Sequence, residues 1–183
     1  LGRLPHLVPL ADGSVLPLRG VPHTVMFSRR ETGPIIVARS TDKGAVIDVR
    51  GRPEHCPRRL RDWLREEAKR DLDDRVSHHA RQLGLSPRRL SLRDQTSRWG
   101  SCSSKGVLSF SWRLILAPTY VLDYVAAHEV AHLAEMNHGP RFWALVRQTY
   151  PEMDQARIWL RQYGLQLYRY DADPCERPAA APA

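Results

Sequence analysis

His128 and His132 stand four residues apart with Glu129 between them. On a helix that spacing puts the two imidazoles one turn apart on one face, where both can grip a single ion. Glu129 lies about 100° round the same helix, near the ion's edge but off the line of the two rings. Its carboxylate is therefore free to take a proton from a metal-activated water. His138 follows Asn137 and precedes Gly139-Pro140, where a helix must stop and the chain can fold back. A third imidazole arriving from outside the helix completes a three-ligand zinc site with one position open to water. This is a hydrolytic metal centre in outline: Glu129 takes the water's proton, the hydroxide attacks a carbonyl polarised by the metal, and Glu129 returns the proton to the leaving amine.

Two residues compete for the third ligand position. A helix continuing through residue 135 would carry Glu135 onto roughly the face of His128, but about 4.5 Å further along the axis than His132. A ligand to the same ion should approach from the side, which favours His138, with Asn137 leaving the helix in a left-handed conformation and Gly139-Pro140 preventing its continuation. Glu135 then becomes an outer group that orients a ligand imidazole or pairs with Arg141. The oxygen that becomes negative during hydrolysis needs a donor besides zinc, and Arg98, Arg141, Tyr120 and Tyr124 are the candidates.

A histidine pair around a glutamate occurs by accident on many surface helices. Here it sits on a helix whose Tyr120, Val121, Tyr124, Val125, Ala127, Ala131 and Leu133 are nearly continuously apolar. Pro118 suits the first turn of that helix. Upstream, Ser14–Leu18, His23–Ser28, Ile35–Ala38 and Ala45–Val49 are short β-prone runs with a turn at Asp42-Lys43-Gly44, and Pro17 and Pro22 indicate edge positions. They read as two hairpins in a small antiparallel sheet. Pro57 then opens a long helix that Gly84 ends, with Leu60, Leu64, Ala68, Leu72, Val76 and Ala80 stepping by four. Its other face is charged, with Glu66/Arg70 and Asp71/Arg75 spaced for pairing. His78-His79 point in different directions on such a helix and read as surface or boundary residues. Leu90–Arg93 is a further strand, and Arg98–Cys102 and Val107–Ser111 form a hairpin about Ser103-Ser104-Lys105-Gly106. After Pro140 comes a helix carrying Phe142, Trp143, Leu145 and Val146. Pro151 breaks it, and Met153–Tyr163 forms a last helix closed by Gly164.

The fold class is thus α+β: a small antiparallel sheet of N-terminal hairpins, a long amphipathic helix, a second β-hairpin, the metal helix and two C-terminal helices. Residues 1–170 read as one domain, β-rich over 1–52, with a metal-binding helical core and hairpin over 57–170. Residues 171–183, rich in Pro and Ala, read as a disordered tail. Three widely spaced cysteines, Cys56, Cys102 and Cys175, form no C-x-x-C pair and point to plain thiols in a reducing cytoplasm. No apolar run approaches the length of a membrane span. The net charge of +8 fits an arginine-rich surface and admits nucleic acid as a partner.

Thr96-Ser97-Arg98-Trp99-Gly100-Ser101-Cys102-Ser103, Trp112-Arg113-Leu114-Ile115-Leu116-Ala117-Pro118, His128-Glu129-Val130-Ala131-His132 and Asn137-His138-Gly139-Pro140-Arg141-Phe142-Trp143 together resemble the YgjP-like metallopeptidase family, a relative of the SprT-like zinc metallopeptidases. The resemblance implies a cytoplasmic hydrolase with a zincin-type metal helix, Zn2+ on His128, His132 and His138, and Glu129 as the catalytic group. It leaves the substrate open, since some members carry a nucleotide (UTP) pyrophosphatase assignment and SprT-like relatives suggest protein on DNA. The hairpin from Trp99 to Ser111 offers an edge for an extended peptide, making Arg98, Trp99, Gly100, Ser101 and Arg141 candidate substrate contacts. Alternatively, Trp99, Phe110 and Trp112 pack under the helix and Gly100 allows a close approach. Rival readings are a phosphoanhydride hydrolase, which lacks acidic clusters for Mg2+, a non-enzymatic nucleic-acid module with structural zinc, and a dead hydrolase kept for partner binding. Glu129 argues against a structural site, which has no use for a base.

Overall fold

Four strands open the chain: β1 (Val15–Leu18), β2 (Val21–Ser28), β3 (Ile36–Thr41) and β4 (Gly44–Arg50). The computed structural model describes residues 6–29, 35–94 and 97–170. Both expected hairpins form, but the sheet they make is mixed, with order β1-β2-β4-β3 and a parallel central pair, β2 with β4. After β2 the chain moves to the far edge before turning back, so β4 arrives pointing the same way as β2. In that register Val25 lies beside Ile47 and Phe27 beside Val49, which puts the apolar side chains of both strands on one face. Val25, Ile47 and Val49 are fully buried there with Leu16. Pro22 faces Pro17 across the β1–β2 pair and lies outside the part of β2 that pairs with β4, so neither proline removes a needed donor.

The long helix α1 (Cys56–Leu83) ends on Gly84, whose φ of 63° is the left-handed cap that glycine adopts without strain. All six residues of the four-step stripe are buried. They pack α1 against a 3-10 turn over Trp112–Leu116 and against helix α2 (Thr119–Ala131). The charged face is paired, though not in the pairs expected: Arg70 bonds Glu67, Arg75 bonds Asp74, and Asp71 is taken by Arg19, while Lys69 and Asp73 use the four-residue spacing. Arg19, at φ 50° in the β1–β2 turn, bonds Asp71 at 2.7 and 2.8 Å and Glu67 at 2.8 Å. Its backbone N–H donates to Ile115 O at 2.7 Å. Next to it, Gly20 lies so close to Pro118 that a Cβ would stand 2.9 Å from the proline Cα. The hairpin tip thus fixes the entry of α2 against α1.

His79 departs from its expected surface position. It is 1% exposed, and its Nε2 lies 2.7 Å from Asp123 Oδ1 on α2. The physical reason is the drift of the four-step stripe, which brings the last turns of α1 round to face α2. Adjacent His78 stays at the boundary, bonded to Gln82.

The second sheet has order β5-β7-β6, from β5 (Arg89–Arg93), β6 (Gly100–Cys102) and β7 (Val107–Ser111). β6 pairs with β7 on one side only, so its other side is an open edge. Phe110 and Trp112 pack in the core, as the close-packed reading of this hairpin expects. Two helices follow α2: α3 (Pro140–Thr149) and α4 (Met153–Tyr163). Gly164 does not stop α4 with a left-handed turn; it keeps helical dihedrals and leads into a 3-10 turn over Gly164–Arg169. Cys56 is buried and Cys102 half-buried, both free thiols. No described helix is long and apolar enough to cross a membrane. The tail expected from Asp171 onward, with Cys175, lies outside the described residues.

A candidate metal centre

Helix α2 is apolar on nearly all sides because nearly all sides are covered: Val121, Leu122, Val125, Ala126, Ala127, Val130 and Ala131 are buried against α1, the second sheet and α4. His128 and His132 emerge at its C-terminal end. Pro118 is the cap residue before the helix rather than its first turn, and His132 caps the other end. The helix therefore stops sooner than expected. Tight turns follow, with Leu133 N–H bonded to Val130 O and Glu135 N–H to Ala131 O. Asn137 does not exit in a left-handed conformation: Arg19 is the one non-glycine residue with positive φ among those described. The reversal is made instead by the turns after Ala131 and by extended Gly139 (φ −81°, ψ −177°), which caps α3.

This loop brings His138 back. Its Nε2 lies 3.1 Å from His128 Nε2, and the three imidazoles of His128, His132 and His138 place ligand nitrogens within 4.8 Å of one another. Tetrahedral zinc with bonds of 2.0–2.1 Å would hold such nitrogens about 3.3 Å apart. Phe142, fully buried at the start of α3, packs its ring against all three imidazoles, with centroids at 4.8, 4.4 and 4.7 Å. Trp143 stacks on His138 and carries the Arg157 guanidinium on its ring. The sequence offered only the apolar pair after Pro140 as a sign of this backing.

The rings are oriented from behind. His132 Nδ1 lies 3.0 Å from the backbone oxygen of Glu135, and His128 Nδ1 lies 3.4 Å from the Tyr124 hydroxyl. Donation from Nδ1 in both cases leaves Nε2 as the ligating nitrogen. Glu135 thus reaches an imidazole with its carbonyl, while its carboxylate pairs with Arg141 Nη2 at 2.8 Å. Residue 135 lies beyond the end of the helix rather than further along its axis, and the ion pair with Arg141 directs its carboxylate elsewhere.

Burial, reinforced by the two neighbouring imidazoles and Arg157, pushes His128 down to about 3, and burial also lowers His132. Both rings are accordingly neutral at physiological pH, the form that binds a metal. Three imidazoles with converging ligand nitrogens fit a borderline cation such as zinc.

Glu129 faces β6. It is 5% exposed, and its Oε2 has no hydrogen-bond partner. Burial pushes its carboxyl up to about 7, with the Arg98 charge opposing. Gly100 explains how the strand comes so near: a Cβ there would stand 2.5 Å from Glu129 Oε1 and 2.6 Å from its Cγ. Gly100→Ala should push the carboxylate aside and cut hydrolysis by about 10²-fold with metal content unchanged, as misplacement by about 1 Å does. Wild-type rates in that variant would mean the contact with Glu129 does no positioning.

An unpaired buried carboxylate has a cost that shows in the metal-free protein. Because the folded value of Glu129 is raised, its penalty is absent near pH 4 and fully present above about pH 7. Metal-free Glu129→Gln should therefore be more stable than metal-free wild type at pH 8 by about 3 kcal/mol, and equal to it near pH 4. Urea unfolding at the two pH values measures this, and a difference that does not change with pH would contradict it.

Of the other candidates, Trp99 stacks on Tyr168 (4.9 Å, 22°) in space that Gly164 leaves open. Ser101 is on the open-edged strand and Arg98 is exposed just before it. Burial raises the Cys102 thiol, which is not a ready nucleophile.

Residues 3–163 match the family model described as YgjP-like, metallopeptidase domain. No match is found among curated proteins. Among solved structures, the metallopeptidase zymogen of Pyrococcus abyssi abylysin is similar with TM-score 0.46 and 21% identity, over 54% of this chain and 97% of that one. The metallopeptidase zymogen of Methanocaldococcus jannaschii jannalysin is similar with TM-score 0.44 and 20% identity, over 50% and 94%.

Proposed function

The chain belongs to the YgjP-like metallopeptidase domain family, and we propose that it is a zinc peptidase whose general base is Glu129 and whose substrate is an extended peptide lying along β6. His128, His132 and His138 would hold the ion through nitrogens that already converge. When bound, zinc supplies a Lewis acid that polarises a carbonyl and makes a water nucleophilic at neutral pH. The chain's own residues do the rest. Glu129 Oε2, buried and without a partner, takes a proton as the water oxygen bonds to the carbonyl carbon. It then gives that proton to the amide nitrogen as the C–N bond breaks. Burial keeps Glu129 basic enough for this exchange near neutral pH.

The open edge of β6 supports the peptide reading. A substrate pairing with it backbone to backbone would run past Gly100, where the strand meets the Glu129 carboxylate. Gly100 and Ser101 serve through their backbone and Arg98 precedes them, while Trp99 fixes the strand through Tyr168 and Arg141 is held on Glu135. Among the described residues the three histidines are the one group of three or more side chains placed to hold a metal. The observation that carries the proposal is the convergence of three imidazoles, two of them on the helix turn that also carries an unpartnered buried carboxylate. Its test is to supply zinc-loaded protein with unfolded casein and, separately, with UTP. Casein should be cut and UTP left intact; the reverse result transfers the site to phosphoanhydride hydrolysis.

A further inference from the structure

Hydrolysis through a tetrahedral oxyanion needs a hydrogen-bond donor aimed at the carbonyl oxygen, and four side chains near the site in sequence could supply one: Arg98, Tyr120, Tyr124 and Arg141. Three of them are engaged or misplaced. Tyr124 is 6% exposed, and its hydroxyl lies behind the His128 ring, at Nδ1 and so away from the converging Nε2 atoms. Tyr120 precedes His128 by eight residues, about 12 Å down the helix axis. Its carbonyl accepts from the Tyr150 hydroxyl, at the N-terminal end of α2. Arg141 is paired with the Glu135 carboxylate at 2.8 Å, on the outer side of the loop that carries His138.

Arg98 is different in each respect. It is exposed, and among the described residues no carboxylate lies within ion-pair distance of it. It stands two residues before Gly100, the point where the strand touches Glu129. Between them the chain bends at Trp99, whose ring stacks on Tyr168 and whose carbonyl accepts from Ser111 N–H at 2.9 Å. Arg98 stands just before that bend, at the entry to β6. Its charge is felt at Glu129. A guanidinium two residues from the Gly100–Glu129 contact is within reach of both the base and a peptide paired with β6.

Resting on the peptidase reading above, we propose that Arg98 is a catalytic residue. Its guanidinium donates a hydrogen bond to the scissile carbonyl oxygen as that oxygen becomes negative. No proton leaves Arg98: the water's proton goes to Glu129 and then to the leaving amine, and the charge on oxygen collapses when the C–N bond breaks. An Arg98 that merely recognised acidic substrates would bind ground state and transition state alike, and would act on KM.

The test compares zinc-loaded wild type, Arg98→Ala and Arg98→Lys on one cleavable peptide and on its phosphinic analogue, whose tetrahedral oxygens mimic the transition state. Zinc content is measured in all three. Arg98→Ala should lower kcat by about 10²- to 10³-fold with little change in KM, as loss of an oxyanion donor does. It should weaken the phosphinic peptide by a similar factor, leave zinc content unchanged, and be partly rescued by added guanidinium. Arg98→Lys should fall between the two. A raised KM with kcat intact, or equal weakening of substrate and analogue, overturns the proposal in favour of substrate recognition, and unchanged kinetics overturn it outright. If zinc-loaded wild type cuts no peptide and does not bind the analogue, the peptidase reading fails and this proposal fails with it.

Discussion

Glu129→Gln should keep its zinc and lose at least ~10²-fold in peptide hydrolysis, the low end of what a general base contributes. The two halves of that expectation come from different parts of the site. Zinc should stay because the three imidazoles, their backing on Phe142 and their bonds to Tyr124 and the Glu135 carbonyl do not involve Glu129. Activity should go because Glu129, on the same helix turn as His128 and His132, carries a buried Oε2 with no hydrogen-bond partner, and an amide oxygen or nitrogen there cannot carry a proton to and fro. Glutamine fills the same space against Gly100, so a large effect would be chemical rather than steric. Matched zinc analysis and peptide kinetics on the two proteins decide it. Equal hydrolysis in the variant would remove Glu129 from the mechanism.

The second large effect concerns the third ligand. His138→Ala should lose zinc about as severely as His132→Ala, beyond the ~10- to 100-fold that outer-shell changes cause. Glu135→Gln should weaken zinc by ~10-fold or less, because the bond to His132 comes from the Glu135 backbone carbonyl, which the substitution keeps. What it removes is the ion pair with Arg141, whose side chain is 86% exposed. Competition with a chromogenic chelator would rank the three variants. A Glu135→Gln protein as metal-poor as His132→Ala would exchange the roles of Glu135 and His138.

The site was legible where chemistry depends on short spacing. Two imidazoles and a carboxylate within five residues, and a third imidazole before Gly139-Pro140, are local patterns, and the structure brings the three imidazoles together. The four-step stripe of α1 was legible for the same reason: burial of one face of a helix is written into its period. Non-local facts were hidden. The parallel pairing of β2 with β4 depends on which edge the chain visits first, and the alternating apolar residues of either strand fit an antiparallel neighbour as well. His79 looked like a surface residue because its partner, Asp123, is 44 residues away. The expected exit of the metal helix at Asn137 failed because helix ends are set by the turn bonds after Ala131 as well as by local propensity. Likewise Tyr124 and Arg98 looked alike as donors. Only burial and partners separate a hydroxyl bonded to His128 from a guanidinium with no carboxylate beside it among the described residues.

The central claim, that one ion is held by three imidazoles with Glu129 beside it and off it, is met most directly by anomalous diffraction at the zinc edge from crystals of the zinc-loaded protein. The account predicts a single strong peak within about 2.0–2.1 Å of the Nε2 atoms of His128, His132 and His138, with the Glu129 carboxylate outside bonding distance and Glu135 still on Arg141. A peak bonded to the Glu135 carboxylate, with His138 turned to solvent, would contradict it.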